Sequence, residues 1–292
     1  MANNKLAIIG GSGLYDIEEL KDREFLDLNT PWGKPSDQIL KTKFNKKEVL
    51  FLPRHGRGHF ISPSKINFRA NIDALKQLGV TDIISVSAVG SLKEELNPGK
   101  FVIVDQFIDR TFARKKSFFG SGLVAHVSMA HPVCHRLGDH IEVAAKGVDI
   151  EVVRGGTYMV MEGPQFSTLA ESELYRSWGC DVIGMTNMPE AKLAREAEIC
   201  YATVAMVTDY DCWHPNHDDV TVDAIIKVLL ANAENARGLV RKTAPLVEAD
   251  RTANNCGCRT ALEHALITDS SIRTPEMVEK LDAVAGRLLN AD

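Results

Sequence analysis

Ile199-Cys-Tyr-Ala-Thr-Val-Ala-Met-Val207 is an almost unbroken run of apolar and β-prone residues that ends on Thr208-Asp209-Tyr210-Asp211. A strand covered on one face alternates apolar with polar residues, whereas a strand buried on both faces reads as continuous apolar sequence. The run therefore belongs inside a sheet covered on both sides. Working outward, residues 6–9, 49–52, 83–86, 101–104, 158–161 and 182–183 read as further strands. Residues 67–78, 169–178, 189–198 and 222–239 carry helical periodicity between them. Ser167 or Thr168 is placed to cap one helix, and Pro189 suits a first helical turn. No linker or repeat interrupts this alternation. The expectation is a single α/β domain over residues 1–292, a mixed central sheet flanked by helices, with a polar surface loop over 248–257 and a C-terminal helical extension from about residue 248.

Composition narrows the function. The 292 residues are 45% hydrophobic and 25% charged, which removes collagen-like, disordered and coiled-coil readings. The 34 basic against 39 acidic side chains give a net charge of −5 and no general attraction for nucleic acid or an anionic membrane. Small-molecule chemistry is expected instead. The opening MANNKLAIIGGSG lacks the apolar core of an export signal, and no apolar run is long enough to span a bilayer, so a cytoplasmic location is expected. The six cysteines, at 134, 180, 200, 212, 256 and 258, form no CxxC pair and no zinc-finger spacing, and read as small buried hydrophobes. Cys256-Gly-Cys258 is the exception, a spacing that also suits a redox pair or a disulfide. His131, Cys134 and His135, and likewise His214, His217 and Asp218, imitate ligand sets, but Pro132 and Pro215 disturb the geometry; no metal is expected.

Chemistry concentrates where strands end. Gly10-Gly11-Ser12-Gly13 forms a strand exit whose amides and hydroxyl suit an anion, yet it lacks the Lys of a Walker loop and the third glycine of a dinucleotide fingerprint. Pro53-Arg54-His55-Gly56-Arg57-Gly58-His59 places a forked cation after a strand, matched to phosphate oxygens, with His55 as a further donor. Ser85-Val-Ser87-Ala88-Val89-Gly90-Ser91 brings small hydroxyl residues to a third strand end, where ligands of open α/β sheets gather. Each motif alone also reads as an ordinary turn or solvated loop. Asp209 and Asp211, two residues apart, would project to one side if extended geometry persists, about 6–7 Å apart. Such a pair suits an aminopurine: one carboxylate accepts from the exocyclic amine, and one carboxylic acid donates to a ring nitrogen. Each disfavours ionisation of the other. Helix capping or an exposed turn is the bland alternative.

Together these motifs resemble the 5′-methylthioadenosine phosphorylases of the trimeric purine nucleoside phosphorylase family. The resemblance runs through Ile8-Ile-Gly-Gly-Ser-Gly-Leu14, Thr30-Pro-Trp-Gly-Lys-Pro-Ser-Asp37, Arg54-His-Gly-Arg57, Asp105-Gln-Phe-Ile-Asp-Arg-Thr111, Glu162-Gly-Pro-Gln-Phe-Ser167, Met185-Thr186, Pro189-Glu190 and Thr208-Asp-Tyr-Asp-Cys-Trp213. It implies a pentosyltransferase of nucleoside phosphorylase-like fold. The reaction implied is phosphorolysis of 5′-methylthioadenosine to adenine and 5-methylthioribose 1-phosphate, in methionine and purine salvage. No cofactor is implied, inorganic phosphate being a co-substrate. Carried over by position, Ser12, Arg54, His55, Ser87, Ala88 and Thr186 make the phosphate site, Met185 meets the ribose, and Phe166 stacks on the base. Asp209 and Asp211 recognise the purine, with Asp209 as the catalytic acid at N7. Val222, Ile225 and Ile226 line the 5′-alkylthio pocket, and His126 comes from a neighbouring subunit, so a homotrimer is implied.

Hydrogen-bond polarity sets the base expected. Similar phosphorylases specific for oxopurines carry Glu after the Gly-Pro-x-Phe motif and Asn at the strand end, where this chain has Ser167 and Asp209. Adenine is favoured over hypoxanthine or guanine. Ser12 and Ser87 stand where relatives often have Thr, and Asn187 where Thr is common. Hydrolysis by water, phosphorolysis of inosine-type nucleosides and silent nucleoside binding are the competing readings. Arg54 with His55 argues against the first, the Asp209/Asp211 pair against the second, and the intact set of acids and donors against the third.

Overall fold

A computed structural model describes residues 4–11, 22–44, 47–120, 122–148, 150–215, 222–250 and 253–290. Ser12, His217 and Asp218 lie outside the described residues. The strands are β1 (Leu6–Gly10), β2 (Glu24–Leu26), β3 (Ile39–Phe44), β4 (Lys47–Pro53), β5 (Asp82–Ser91), β6 (Phe101–Val104), β7 (Gln106–Asp109), β8 (Val152–Arg154), β9 (Thr157–Val160), β10 (Val182–Gly184) and β11 (Cys200–Asp209). The helices are α1 (Phe68–Gln77), α2 (His135–Ala145), α3 (Leu169–Ser177), α4 (Asn187–Glu196), α5 (Val222–Ala249), α6 (Pro275–Lys280) and α7 (Asp282–Leu289). Among the described residues, none of these helices is long and apolar enough to cross a membrane.

All described strands join one mixed sheet, and the single-domain α/β class expected from the sequence is the one observed. The parallel centre runs β4-β1-β5-β11, in register from Leu6 opposite Val49 to Cys200 opposite Asp82. β11 shows why continuous apolar sequence marks the centre. Cys200, Ala202, Val204 and Met206 pack into the core on the α2/α5 side, while Tyr201, Ala205 and Val207 pack into the core on the α1/α4 side. Both faces are buried along this stretch, so both are apolar apart from Thr203, whose hydroxyl accepts a hydrogen bond from Asn187. At its C-terminal end β5 also pairs antiparallel with β10, through Gly90 and Ser91, so the sheet forks where β5 and β11 end.

Two local departures have physical reasons. The helix read over 222–239 continues to Ala249 with Pro245 inside it. An interior proline costs about 3 kcal/mol, but Ala236, Leu239, Val240 and Ala244 before it and Val247 after it keep one face buried, and that burial carries the helix on. The expected loop over 248–257 is accordingly shorter. Strands β2, β3, β7 and β8 and helix α2 escape the sequence reading: β2, β7 and β8 are short, with no fully buried residue, β3 mixes Lys41, Thr42 and Lys43 into its apolar residues, and α2 starts at Cys134 without a side-chain cap. By contrast Thr168 caps α3 in a full capping box with Glu171.

Candidate active site at the strand ends

The exit of β4 is tied to β1 by the Arg54 amide, which donates to the Gly10 carbonyl at 2.9 Å. This turns the Arg54 side chain inward, where it is 1% exposed. Its Nε donates to Glu190 Oε2 at 2.8 Å and its Nη2 to Glu190 Oε1 at 3.1 Å and Ser85 Oγ at 2.6 Å. Nη2 also reaches the Ile9 carbonyl and Nη1 the Val86 carbonyl. Burial opposes the cation, but Glu190 beside it more than offsets that and raises its pKa. Glu190 is held in turn by Ser85 Oγ at 2.7 Å and the Tyr201 hydroxyl at 2.9 Å. Of the five guanidinium hydrogens, these contacts leave one, on Nη1, to face a ligand.

His55 differs from the sequence expectation of an extra donor. Its Nδ1–H donates to the Ile61 carbonyl at 2.8 Å and its ring stacks on His59 at 4.1 Å. Burial pushes its pKa down to about 4 against the opposing pull of that hydrogen bond. The ring is neutral at physiological pH, and its free nitrogen, Nε2, is an acceptor. Ser87 Oγ donates to Asn187 Oδ1 at 3.2 Å, and Asn187 Nδ2 donates to the Tyr201 hydroxyl at 2.7 Å and to Thr203 Oγ1. Thr186, the N-cap of α4, carries a buried hydroxyl that makes no well-formed hydrogen bond, although the Tyr158 hydroxyl faces it. Ala88 lies one residue beyond Ser87 on β5, opposite Met206.

The middle of the site is built by a residue the sequence reading missed. Arg114 Nη1 donates to the carbonyls of Met185 and Met188, both at 2.6 Å, and Nη2 to the Glu162 carbonyl at 2.7 Å. Glu162 also accepts from the Phe112 amide at 2.6 Å and from Ser64 Oγ. Arg114 thereby clamps the loop bearing Phe166 to the segment bearing Met185. Nothing local in Ala113-Arg-Lys-Lys116 separates this buried arginine from a solvated basic run. Gly163 has φ +67, and a Cβ there would sit 2.4 Å from Met185 Sδ, so the loop passes directly over Met185. Phe166, 42% exposed, stands open beside it.

At the far end β11 shifts register between Val207 and Asp209, so that Asp209 faces Gly90 of β5. Such a bulge re-aims the side chains that follow it. Extended geometry does not persist as expected: Asp211 has φ +50, and its amide donates to Asp209 Oδ1 at 2.8 Å, a turn that draws the two acids together. Thr208 Oγ1 donates to Asp209 Oδ2 at 2.7 Å. Burial raises the pKa of Asp209 above the usual carboxylate range, against the two hydrogen bonds it accepts. Burial also raises that of Asp211. Desolvation, more than the mutual repulsion expected from sequence, favours the protonated forms. Asp211 Oδ2 is buried and makes no well-formed hydrogen bond, although the hydroxyls of Ser172 and Ser167 face the carboxylate.

The remaining sequence candidates stand on other elements. Val222, Ile225 and Ile226 occupy the first turns of α5, Val222 and Ile226 exposed and Ile225 half-buried. His126 is exposed, its amide bonded to the Ala265 carbonyl, and lines a cleft of about 400 Å³ with Lys192 and Glu196. None of the strand-end residues lines that cleft. His214 Nε2 lies 3.0 Å from Glu94 Oε1. His131 and His135 do not gather with Cys134 as a ligand cluster among the described residues, and His217 and Asp218 of the other set lie outside them.

Comparison with known proteins is consistent along almost the whole chain. Residues 5–244 match the pattern of the phosphorylase superfamily. The chain is 61% identical over 284 residues to an S-methyl-5′-thioadenosine phosphorylase of Cereibacter sphaeroides, covering 97% of this chain and 98% of that protein. A methylthioadenosine phosphorylase from an antarctic soil metagenomic library superposes with a TM-score of 0.91 at 47% identity, covering 97% and 99% of the two chains. The Schistosoma mansoni methylthioadenosine phosphorylase in complex with adenine gives 0.84 at 36%, covering 89% and 97%.

Proposed function

The chain belongs to the phosphorylase superfamily and, within it, to the S-methyl-5′-thioadenosine phosphorylases, and we propose that its strand-end site cleaves 5′-methylthioadenosine with inorganic phosphate to adenine and 5-methylthioribose 1-phosphate. The observation that carries the reading is a pair of buried oxygens without a well-formed hydrogen bond, Thr186 Oγ1, faced by the Tyr158 hydroxyl, and Asp211 Oδ2, on a carboxylate faced by Ser172 and Ser167. Buried polar atoms are rarely left without partners. Phosphate oxygens would satisfy the first and a purine amine the second. β5 joins the two ends: Arg54 bonds at Ser85 and Val86, and Asp209 sits opposite Gly90. Four or five residues of strand span about 13–16 Å, room for a nucleoside with an anion beneath its sugar.

Phosphate would lie among Arg54, His55, Ser87, the Ala88 amide and Thr186, with the Ser12 hydroxyl as a further donor. His55 Nε2, a neutral acceptor, takes a hydrogen bond from the phosphate P–OH and so turns a charged oxygen toward C1′. As the phosphate oxygen bonds C1′, the C1′–N9 bond breaks and its electron pair enters the purine. Asp209 donates its proton at N7 and recovers one from solvent, and the sugar phosphate formed gives up its P–OH proton to solvent, so that proton balances the one that leaves with adenine. Asp211 accepts from the exocyclic amine and Phe166 covers the base. Charge is thus stabilised on both sides of an oxocarbenium-like state, by the anion below and the acid above. The reaction requires no metal or cofactor. Val222, Ile225 and Ile226 supply the apolar surface for the methylthio group, and His126 of a neighbouring copy completes the site in a homotrimer. The reaction serves purine and methionine salvage in the cytoplasm, with neither nucleic acid nor membrane as partner.

Adenine release from methylthioadenosine, followed with and without phosphate and with adenosine and inosine as comparison substrates, tests this. Release requires phosphate and fails on inosine. Phosphate-independent release would make the protein a hydrolase, and binding without turnover a silent receptor.

Gly90 gives a sharper local test. A Cβ there would lie 2.8 Å from Asp209 Oδ1, 3.1 Å from Ile183 Cγ2 and 3.3 Å from Asp211 Cβ. The Gly90→Ala variant keeps its sheet pairing, since the backbone conformation suits alanine, but displaces both acids. Misplacement by about 1 Å costs on the order of 10²-fold, so kcat/KM for methylthioadenosine falls by about that factor, with KM for phosphate little changed. Unaltered kcat/KM would take the two acids away from the base.

A further inference from the structure

At the opposite end of β11 from Asp209, four cysteines from separate parts of the chain meet. Cys134 is the N-cap of α2, Cys200 is the first residue of β11, and Cys256 and Cys258 flank Gly257 between two short 3-10 turns. All four Sγ atoms lie within 4.8 Å of one another, Cys200 to Cys256 at 3.4 Å, and none is in a disulfide. Cys134, Cys200 and Cys258 are at most 2% exposed, and Cys256 is half-buried. Gly257, with φ +69, bends the chain so that the thiols on either side converge.

The geometry points to a metal. Tetrahedral zinc binds thiolate at about 2.3 Å, which sets its sulfurs about 3.8 Å apart, a spacing between the 3.4 Å of Cys200 to Cys256 and the 4.8 Å within which all four fall. Two disulfides would need sulfurs about 2.0 Å apart in pairs, with no reason for both pairs to meet at one point. The surroundings suit a negatively charged complex. The Arg136 guanidinium lies against Cys200 and Cys134, and its Nε is a buried donor without a nitrogen or oxygen acceptor. Arg259, adjoining Cys258, is anchored on Asp82 at 3.0 Å, the carboxylate that also holds Arg136.

We propose that Cys134, Cys200, Cys256 and Cys258 hold one zinc ion. Four protein ligands leave no open position, so the site is structural. Nine residue steps of β11, about 30 Å, separate it from Asp209, and it stands independently of the phosphorolysis proposed above. Its effect is to pin the segment after α5 to the base of the sheet, ahead of the stretch in which Leu262, Leu281, Val284 and Leu289 enter the core beside α1 and α4. Each thiol releases its proton as zinc binds, so the metal is lost toward acid. The expectation of no metal arose because spacing alone cannot join positions 134, 200 and 256.

Tag-free protein purified under reducing conditions, without added metal, is assayed by elemental analysis and by X-ray absorption at the zinc edge. About one zinc per chain and a shell of four sulfurs near 2.3 Å is expected. The Cys256→Ser/Cys258→Ser double variant then retains only a trace of zinc, melts at lower temperature, and keeps phosphate-dependent turnover at temperatures where it is folded. Metal-free wild-type protein with four titratable thiols overturns the proposal, as does protein whose four thiols are found as disulfides. Because the wild-type measurement decides the matter, a double variant that does not fold still leaves the proposal open to refutation.

Discussion

Asp209→Asn lowers kcat on methylthioadenosine by about 10²- to 10⁴-fold, the usual contribution of a positioned general acid, while leaving the fold intact. The amide is nearly isosteric: its oxygen still accepts from the Asp211 amide, and its nitrogen can donate to Thr208 Oγ1. What it lacks is the transferable proton. The same residue gives the pH dependence a definite sign. Burial raises the folded-state pKa of Asp209, and a general acid works only while protonated, so turnover is expected to fall as pH rises through that raised pKa. Stability follows the same direction. A carboxyl with its folded pKa above its unfolded value contributes stability below the unfolded pKa and loses it as pH climbs through the folded one. The variant therefore lacks both that limb of the pH–rate profile and that loss of stability. Wild-type turnover in Asp209→Asn, measured beside an unchanged melting curve, would assign the proton to another group.

The central strands were legible because burial on both faces imposes continuous apolar sequence, and the acids at the end of β11 because charge there breaks the pattern abruptly. Legible residues owe their signal to their own neighbours. Arg114 shows the limit: its sequence context is basic and polar, and only the carbonyls of Glu162, Met185 and Met188, brought together by folding, make it a buried clamp. The tautomer of His55 is invisible for the same reason, being set by the carbonyl of Ile61 across a turn. The pairing of Asp209 with Asp211 was readable as spacing but not as geometry, since a bulge opposite Gly90 and a left-handed Asp211 replace the extended chain. Short edge strands carry too few residues for any period to show.

Glu190→Ala destabilises the protein by about 3–5 kcal/mol, the range for removing one partner of a buried ion pair. Arg54 and Glu190 are each about 1% exposed, and with the carboxylate gone the guanidinium retains only Ser85 and two backbone carbonyls. Urea unfolding at fixed protein concentration reads the loss, and a loss below about 1 kcal/mol would show that water or another group takes up the charge. Holding the cation in the fold and presenting it to phosphate are separable duties. In the double variant Arg54→Met/Glu190→Leu no charge is stranded, and apolar replacement of a buried pair is often neutral or stabilising. Much of the stability lost in Glu190→Ala should therefore return, whereas the KM for phosphate should not recover, because the remaining Nη1 hydrogen has gone with the guanidinium. A double variant that regains both stability and phosphate affinity would make Arg54 a purely structural residue and move the anion site to the hydroxyls and amides around Ser87 and Thr186.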